Sequence, residues 1–120
     1  MIQTKNSKQY NLEERTLNFA RRVRIFVNQI PKTITNIEDG KQLTRSSGSI
    51  GANYIEANES LSRKDFLMRI KICRKEAKES RYWLELIIVD NGNLEQDKRD
   101  LIQEVTELMK IFGSIIEKSK

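Results

Sequence analysis

Four segments of this chain repeat apolar residues at spacings of three, four and seven, which places them on one face of an α-helix. The repeats predict helices over about residues 11–30, 34–60, 62–89 and 94–118. A single proline and five glycines leave the chain poor in the turn residues that a β-sandwich needs, so we expect an all-α fold. We call the set of residues that each repeat places on the core-facing side of its helix a row. The four rows are, in chain order, Leu12, Phe19, Val23, Phe26, Val27 and Ile30; Leu43, Ser47, Ile50, Tyr54, Ala57 and Leu61; Phe66, Ile70, Cys73, Ala77, Leu84 and Ile88; and Leu94, Leu101, Val105, Leu108, Phe112 and Ile115.

Helix-breaking and capping residues separate the four segments. Pro31 ends the first helix, because proline lacks a backbone N–H and crowds the preceding turn. Ser62 and Asn93 are the expected caps of the third and fourth helices. Short connections favour antiparallel neighbours, so the expected architecture is an antiparallel up-down-up-down four-helix bundle that forms a single domain over residues 1–120.

Small residues cluster in the second segment, at Ser46, Ser47, Gly48, Ser49, Gly51 and Ala52. Each interior glycine costs about 1 kcal/mol relative to alanine in a helix, so tertiary packing must keep this segment helical. Small side chains also let another helix approach closely. We therefore expect the second helix to contact a neighbour at short range.

The absence of histidine excludes a Ser-His-Asp triad, a histidine-bound zinc site and a Glu-x-x-His di-iron site. The lone cysteine, Cys73, lies on a predicted core row and cannot form an intramolecular disulfide. We expect no catalytic residue, no metal and no cofactor. The chain has neither a bilayer-length apolar stretch nor a signal peptide, which predicts a cytoplasmic protein without a membrane partner.

Two further stripes follow the third helix when its residues are placed about 100° apart. Lys64, Lys71, Lys75 and Lys78 form a basic flank, and an apolar stripe lies beside it on the face opposite the core. On the first helix, Ile25 also points away from the core. These apolar residues predict that the chain assembles with copies of itself, although Trp83 could instead cover a loop or an adjacent helix. The candidate interface residues are Ile25, Met68, Ile72, Trp83 and Leu86.

Basic residues exceed acidic ones by 22 to 17, a formal net charge of +5. The excess lies on the first and third helices, which are diagonal in such a bundle, so one subunit need not present a single basic face. A solvated face with acidic partners at neighbouring turns is the alternative. If nucleic acid binds, the candidate phosphate contacts are Arg21, Arg22, Arg24, Lys71, Arg74, Lys75 and Lys78.

A polar line runs along the second helix, and two glutamates lie on adjacent turns of the third. Carboxylates at this spacing could hold magnesium, but with arginine and lysine beside them a salt-bridge network is the preferred interpretation. The candidate network comprises Arg45, Ser49, Asn53, Glu56, Glu76 and Glu79.

Three stretches carry a family resemblance: FARRVRIFVNQIPKT, QLTRSSGSIGANYIEANESLSRKDF and KICRKEAKESRYWLELI. Together they resemble the 23S rRNA-intervening sequence protein family over about residues 15–116. The resemblance implies an antiparallel four-helix bundle that forms a homopentameric ring. This family is similar in fold to the accessory variability protein of diversity-generating retroelements, a basic pentameric barrel that works with a reverse transcriptase and nucleic acid. The matched positions implied to serve packing and subunit contacts are Asn53, Glu56, Glu76, Glu79, Tyr82 and Trp83.

The sequence therefore predicts a non-enzymatic, homo-oligomeric helical protein, a pentamer by resemblance, whose basic surface binds RNA or a nucleoprotein. The alternative is a protein–protein scaffold or accessory subunit, for example for a reverse transcriptase, that does not bind nucleic acid directly.

Overall fold

The computed structural model describes residues 11–120, which contain four α-helices. In chain order they are α1 (Leu12–Val27), α2 (Ile34–Asn58), α3 (Arg63–Leu86) and α4 (Gly92–Lys118). No β-strand occurs within this range, so the predicted all-α fold is confirmed. None of the described helices is long and apolar enough to cross a membrane.

Contacts between consecutive helices show that they run antiparallel. Between α2 and α3, Arg45 contacts Glu79 and Asn53 contacts Arg69, so residue numbers rise on one helix as they fall on the other. The helices pack in chain order and α4 returns to α1, which leaves α1 and α3 diagonal in a bundle of 44 × 27 × 19 Å. The other consecutive pairs show the same inversion in the contacts Arg24–Thr44, Glu13–Asn58, Arg81–Thr106 and Arg63–Ser119.

An ion-pair cluster joins α1 to α4. Arg15 donates through Nε and Nη2 to the two carboxylate oxygens of Glu104, at 3.0 and 2.8 Å, and through Nη2 to Glu107 at 3.0 Å. The hydrogen bond to Glu104 raises the pKa of the Arg15 guanidinium above its ordinary value. Because Arg15 and Glu104 are largely shielded from water and bonded in a bidentate manner, this pair is stronger than an ordinary surface ion pair.

One cluster of apolar side chains fills the space between the helices, and all four predicted rows contribute to it. Phe19 and Phe26 of α1 and Phe112 of α4 are among its largest fully buried members. Two predicted core residues are wrong: Leu61 is 100% exposed and Ile88 is also exposed. Both lie beyond the ends of their helices, so the helical spacing that predicted their burial no longer applies.

Four helix limits differ from the prediction by two residues or more, and one of them is the end of α2, which lies at Asn58 instead of residue 60. α1 ends at Val27 instead of residue 30, because the residues before Pro31 leave the helical conformation. α3 ends at Leu86, and the extended backbone of Ile87 directs that side chain into the core. α4 begins two residues earlier than expected, and its cap is Asn91, which accepts a hydrogen bond from the backbone N–H of Leu94 at 2.9 Å. The predicted cap Asn93 is therefore wrong.

The buried side chain of Asn36 links the α1–α2 and α3–α4 connections. Its amide nitrogen donates to the carbonyl oxygens of Pro31, at 3.0 Å, and Ile88, at 2.8 Å. Its oxygen accepts from the N–H of Ile88 at 3.0 Å. Three backbone groups outside the helices are satisfied by one side chain, which stabilises the extended backbone after α3.

The close approach expected for α2 occurs at Gly51. A β-carbon at this position would lie 2.9 Å from the hydroxyl oxygen of Thr16 on α1. That hydroxyl is held in place by a 2.7 Å hydrogen bond to the carbonyl oxygen of Leu12. Glycine at position 51 therefore sets the distance between α1 and α2.

We predict that Gly51→Ala lowers the free energy of unfolding. The overpacking against Thr16 costs about 1–3 kcal/mol, and the higher helix propensity of alanine offsets roughly 1 kcal/mol of that cost. Gly113→Ala is the matched control, since its new methyl group would lie at ordinary contact distance, 3.9 Å, from Arg74. The control should be neutral or more stable by up to about 1 kcal/mol. Denaturant unfolding at equal protein concentration measures both; Gly51→Ala as stable as Gly113→Ala would contradict the close contact.

Cys73 is fully buried in the core, and its thiol lies 3.5 Å from the carbonyl oxygen of Ile50. Burial raises the pKa of the Cys73 thiol to about 12. The thiolate, which is the nucleophilic form, is therefore disfavoured at neutral pH. Burial also raises the pKa of Tyr54.

We predict that Cys73 does not react with a thiol reagent at neutral pH until the protein unfolds. Because its folded pKa is raised, the Cys73 contribution to stability is complete below the unfolded value of about 9 and decreases as the pH rises towards about 12. The free energy of unfolding should fall more steeply over this range in the wild type than in Cys73→Ala, which retains the effect of Tyr54. Rapid labelling of the native protein, or equal slopes, would refute the assignment.

Candidate nucleic-acid interface

A basic groove follows the outer side of α3. It has a volume of about 540 Å³, and its lining carries five cationic side chains, two carboxylates and one tyrosine. Residues spaced by three and four along one helix share a face, which explains why one segment supplies the whole groove. The residues that define this α3 groove are Lys71, Arg74, Lys75, Lys78, Glu79, Arg81, Tyr82 and Glu85.

The cations of the α3 groove are of two kinds. Arg81 donates to the hydroxyl of Thr106 at 3.3 Å, and Arg74 extends towards Gly113, so both guanidinium groups lie near α4. Lys71 and the two other lysines of the groove are exposed. The groove therefore combines arginines placed beside α4 with exposed lysine ammonium groups, and both side chains are common phosphate ligands.

One of the two groove carboxylates is already neutralised. Arg45 of α2 donates to Glu79 at 2.6 Å and to Glu76 at 3.4 Å. Lys75 also lies 3.8 Å from Glu76, a carboxylate that is almost fully buried. These pairs offset part of the negative charge beside the lysines, and the cationic side chains that line the α3 groove outnumber its carboxylates.

The structure divides the predicted polar network into separate parts. Arg45 joins Glu76 and Glu79 as described above. Asn53 donates to the hydroxyl of Ser49 at 3.0 Å and accepts from Arg69 at 2.8 Å, forming a second group. Glu56 is exposed and accepts, through its backbone carbonyl, a hydrogen bond from Ser60. Both bonded groups connect α2 to α3.

The predicted phosphate contacts on α1 lie away from the α3 groove. Arg22 faces Asp97 and Asp100 of α4 in a separate groove. Arg21 and Arg24 line a groove between α1 and α2, where Arg24 donates to the carbonyl oxygen of Thr44 at 3.4 Å. Because α1 and α3 are diagonal, a single subunit does not combine the two basic sets.

The candidate interface residues also occupy two faces. Met68 and Leu86 of α3 are 50% and 43% exposed, and Ile25 of α1 is 61% exposed. Ile72 is half-buried, and Trp83 packs against the core. Because Trp83 is half-buried rather than fully exposed, its place in a subunit interface stays a prediction.

Some residues of the site escaped sequence reasoning. Arg81 follows Arg74 by seven residues and so lies on the same side of α3, a spacing that could have identified it. Arg69, which bonds to Asn53, lies seven residues before Glu76, so the same spacing could have placed it on the side of α3 that carries Glu76. Tyr82 appeared only among the positions implied by resemblance, although it follows Lys78 by four residues, a spacing that could have placed it beside the lysines.

Residues 11–120 contain no group of three or more histidine, cysteine, aspartate or glutamate side chains arranged to hold a metal ion. The arrangement instead offers positive charge, hydrogen-bond donors and one exposed aromatic ring on a rigid helix. These features define an all-helical bundle with a surface suited to binding an anionic polymer.

The model of a family described as 23S rRNA-intervening sequence protein matches residues 8–114, so the chain belongs to that family. It is also similar to a crystal structure of a protein with unknown function from the S23 ribosomal protein family of Bacteroides thetaiotaomicron. The two are 35% identical with a TM-score of 0.71, and the match covers 87% of this chain and 96% of the other. No curated protein matches this chain.

Proposed function

We propose that this protein is a non-enzymatic RNA-binding protein that assembles into a homopentameric ring and contacts the RNA phosphate backbone through the α3 groove. The observation that most supports RNA binding is the concentration of five cationic side chains in one groove of one helix. The family is named after intervening sequences of 23S rRNA, which favours RNA as the polyanion.

In this proposal the cationic side chains of the α3 groove contact the phosphates of the RNA. Lys71 and Arg81, near its two ends, are ten residues apart, which corresponds to about 15 Å along the helix. A polyanion lying along α3 can therefore contact several cations at once and release the counterions that its phosphates hold. Such contacts provide affinity and orientation without reading the base sequence.

The position of the exposed apolar residues supports a ring. Met68 and Leu86 lie on α3, whereas Ile25 lies on the diagonal helix α1. Two different patches on opposite sides of a subunit suit a head-to-tail contact, in which one patch of each copy meets the other patch of the next. Head-to-tail contacts generate closed rings when the rotation between copies closes.

Protein binding is the second candidate function, favoured by the groove between α1 and α2. This groove has a volume of about 360 Å³ and an apolar floor, with Leu17 and Ile55 half-exposed and Arg21 and Arg24 beside them. Its chemistry suits an amphipathic helix that carries acidic residues. Pentamers that do not bind RNA would favour this candidate.

We predict that replacing Lys71, Lys75 and Lys78 with glutamate weakens RNA binding at least tenfold. For single-stranded RNA, the dependence of log affinity on log salt should also flatten by roughly 2, since each lost phosphate contact removes about 0.7. Fluorescence anisotropy with a labelled RNA at low and raised salt measures both quantities.

The matched control replaces Lys32, Lys41 and Lys118 with glutamate, which changes the net charge equally while leaving the α3 groove intact; all three lysines are exposed. This control should retain most of the wild-type affinity. Equal losses in both triple variants would show that binding follows total charge alone, and unchanged affinity in the groove variant would refute the proposed surface.

We predict that Met68→Glu combined with Leu86→Glu dissociates the ring into smaller species, because a charge buried in an apolar contact has no partner there. Light scattering coupled to size-exclusion chromatography measures the change. Leu61→Glu is the matched control: this residue is 100% exposed and lies outside both patches, so its variant should remain a pentamer. A wild-type protein that is monomeric at micromolar concentration would overturn the proposed assembly.

A further inference from the structure

Tyr82 is an exposed aromatic residue within a basic groove. Its side chain is 56% exposed, and the α3 groove places it among lysines and arginines. An exposed ring that contributes little to the core is available for a ligand.

The ring of Tyr82 is nonetheless supported. It makes an edge-to-face contact with Trp83, with ring centroids 5.1 Å apart and planes inclined at 71°. Trp83 packs against the core, so the contact connects Tyr82 to a rigid part of the bundle. A ring held in this way binds a planar partner with a smaller loss of conformational entropy than a free side chain.

The spacing of α3 places the ring in line with the lysines. Lys71, Lys75, Lys78 and Tyr82 follow one another at intervals of four, three and four, so they share one face of the helix. Tyr82 therefore follows Lys78 on this face by four residues, about 6 Å along the axis. A strand whose phosphates contact the lysines brings a base within reach of the ring.

From this arrangement we infer that the α3 groove selects RNA with unpaired bases, with Tyr82 as the platform on which one base stacks. The inference rests on the proposed function and names its substrate class. Aromatic rings stack on unpaired bases in a sequence-tolerant manner, and neighbouring cations hold the backbone. In an RNA duplex the bases are already stacked on one another, so only the cations of the groove contribute.

The experiment compares two probes, a polyuridine strand and a fully paired RNA duplex of the same length, binding to the full chain. Tyr82→Ala should lose about 5- to 150-fold in affinity for polyuridine, the range expected for one lost base stack, with little change for the duplex. Tyr82→Phe keeps the ring and should retain nearly the wild-type affinity for polyuridine. Ile88→Ala, which removes an exposed apolar side chain outside the groove, should affect neither probe.

Each failure has a distinct signature. If the wild type binds neither probe, the proposed RNA-binding function is wrong. If the wild type binds both and Tyr82→Ala weakens them equally, or weakens neither, the proposed function stands and the stacking platform is wrong. Light scattering measures the oligomeric state of Tyr82→Ala. Dissociation of the ring in this variant would place Tyr82 in a subunit contact and overturn its assignment as a stacking platform.

Discussion

The packing of α3 between α2 and α4 determines which of its side chains remain outside the bundle. Its row from Ile70 to Leu84 is buried, and two neighbouring helices occupy the sides of that row. On the α2 side, Arg45 and Asn53 bond to residues of α3. On the α4 side, Arg81 bonds to Thr106. The remaining outer arc carries the lysines and Tyr82, so the α3 groove follows directly from the burial of the opposite face.

The interior of each helix could be predicted from sequence, whereas the ends could not. The rows through Val23, Ile50 and Val105 are buried as expected, because a repeated spacing constrains many residues to one face at once. Ends depend on single interactions between distant parts of the chain. Asn36 bonds to the backbone of Ile88, 52 residues away, and no local pattern in the sequence indicates that pair.

In the candidate site, too, some features could be predicted from the sequence and others could not. The exposed lysines of α3 could be located from the helical period alone, because an outward-facing position needs no knowledge of a neighbour. The partners of the polar residues depended on which helices are adjacent and on their register. Asn53 therefore joins Arg69 instead of the glutamates, and Trp83 is half-buried against the core although its position on the helical wheel predicted a more exposed side chain.

The residues of the proposed ring contact and those of the proposed RNA surface are neighbours on α3, so subunit assembly and RNA binding influence each other. Met68 and Leu86 lie beside the lysine row, so a subunit docked on them would stand next to the α3 groove. Bringing copies of a chain with net charge +5 together costs electrostatic energy, and a bound polyanion reduces that cost. By linkage, RNA that lowers this repulsion must strengthen assembly, and assembly must strengthen RNA binding by the same factor. Under this scheme, added salt has opposing effects: it screens the repulsion between subunits and weakens their contacts with RNA.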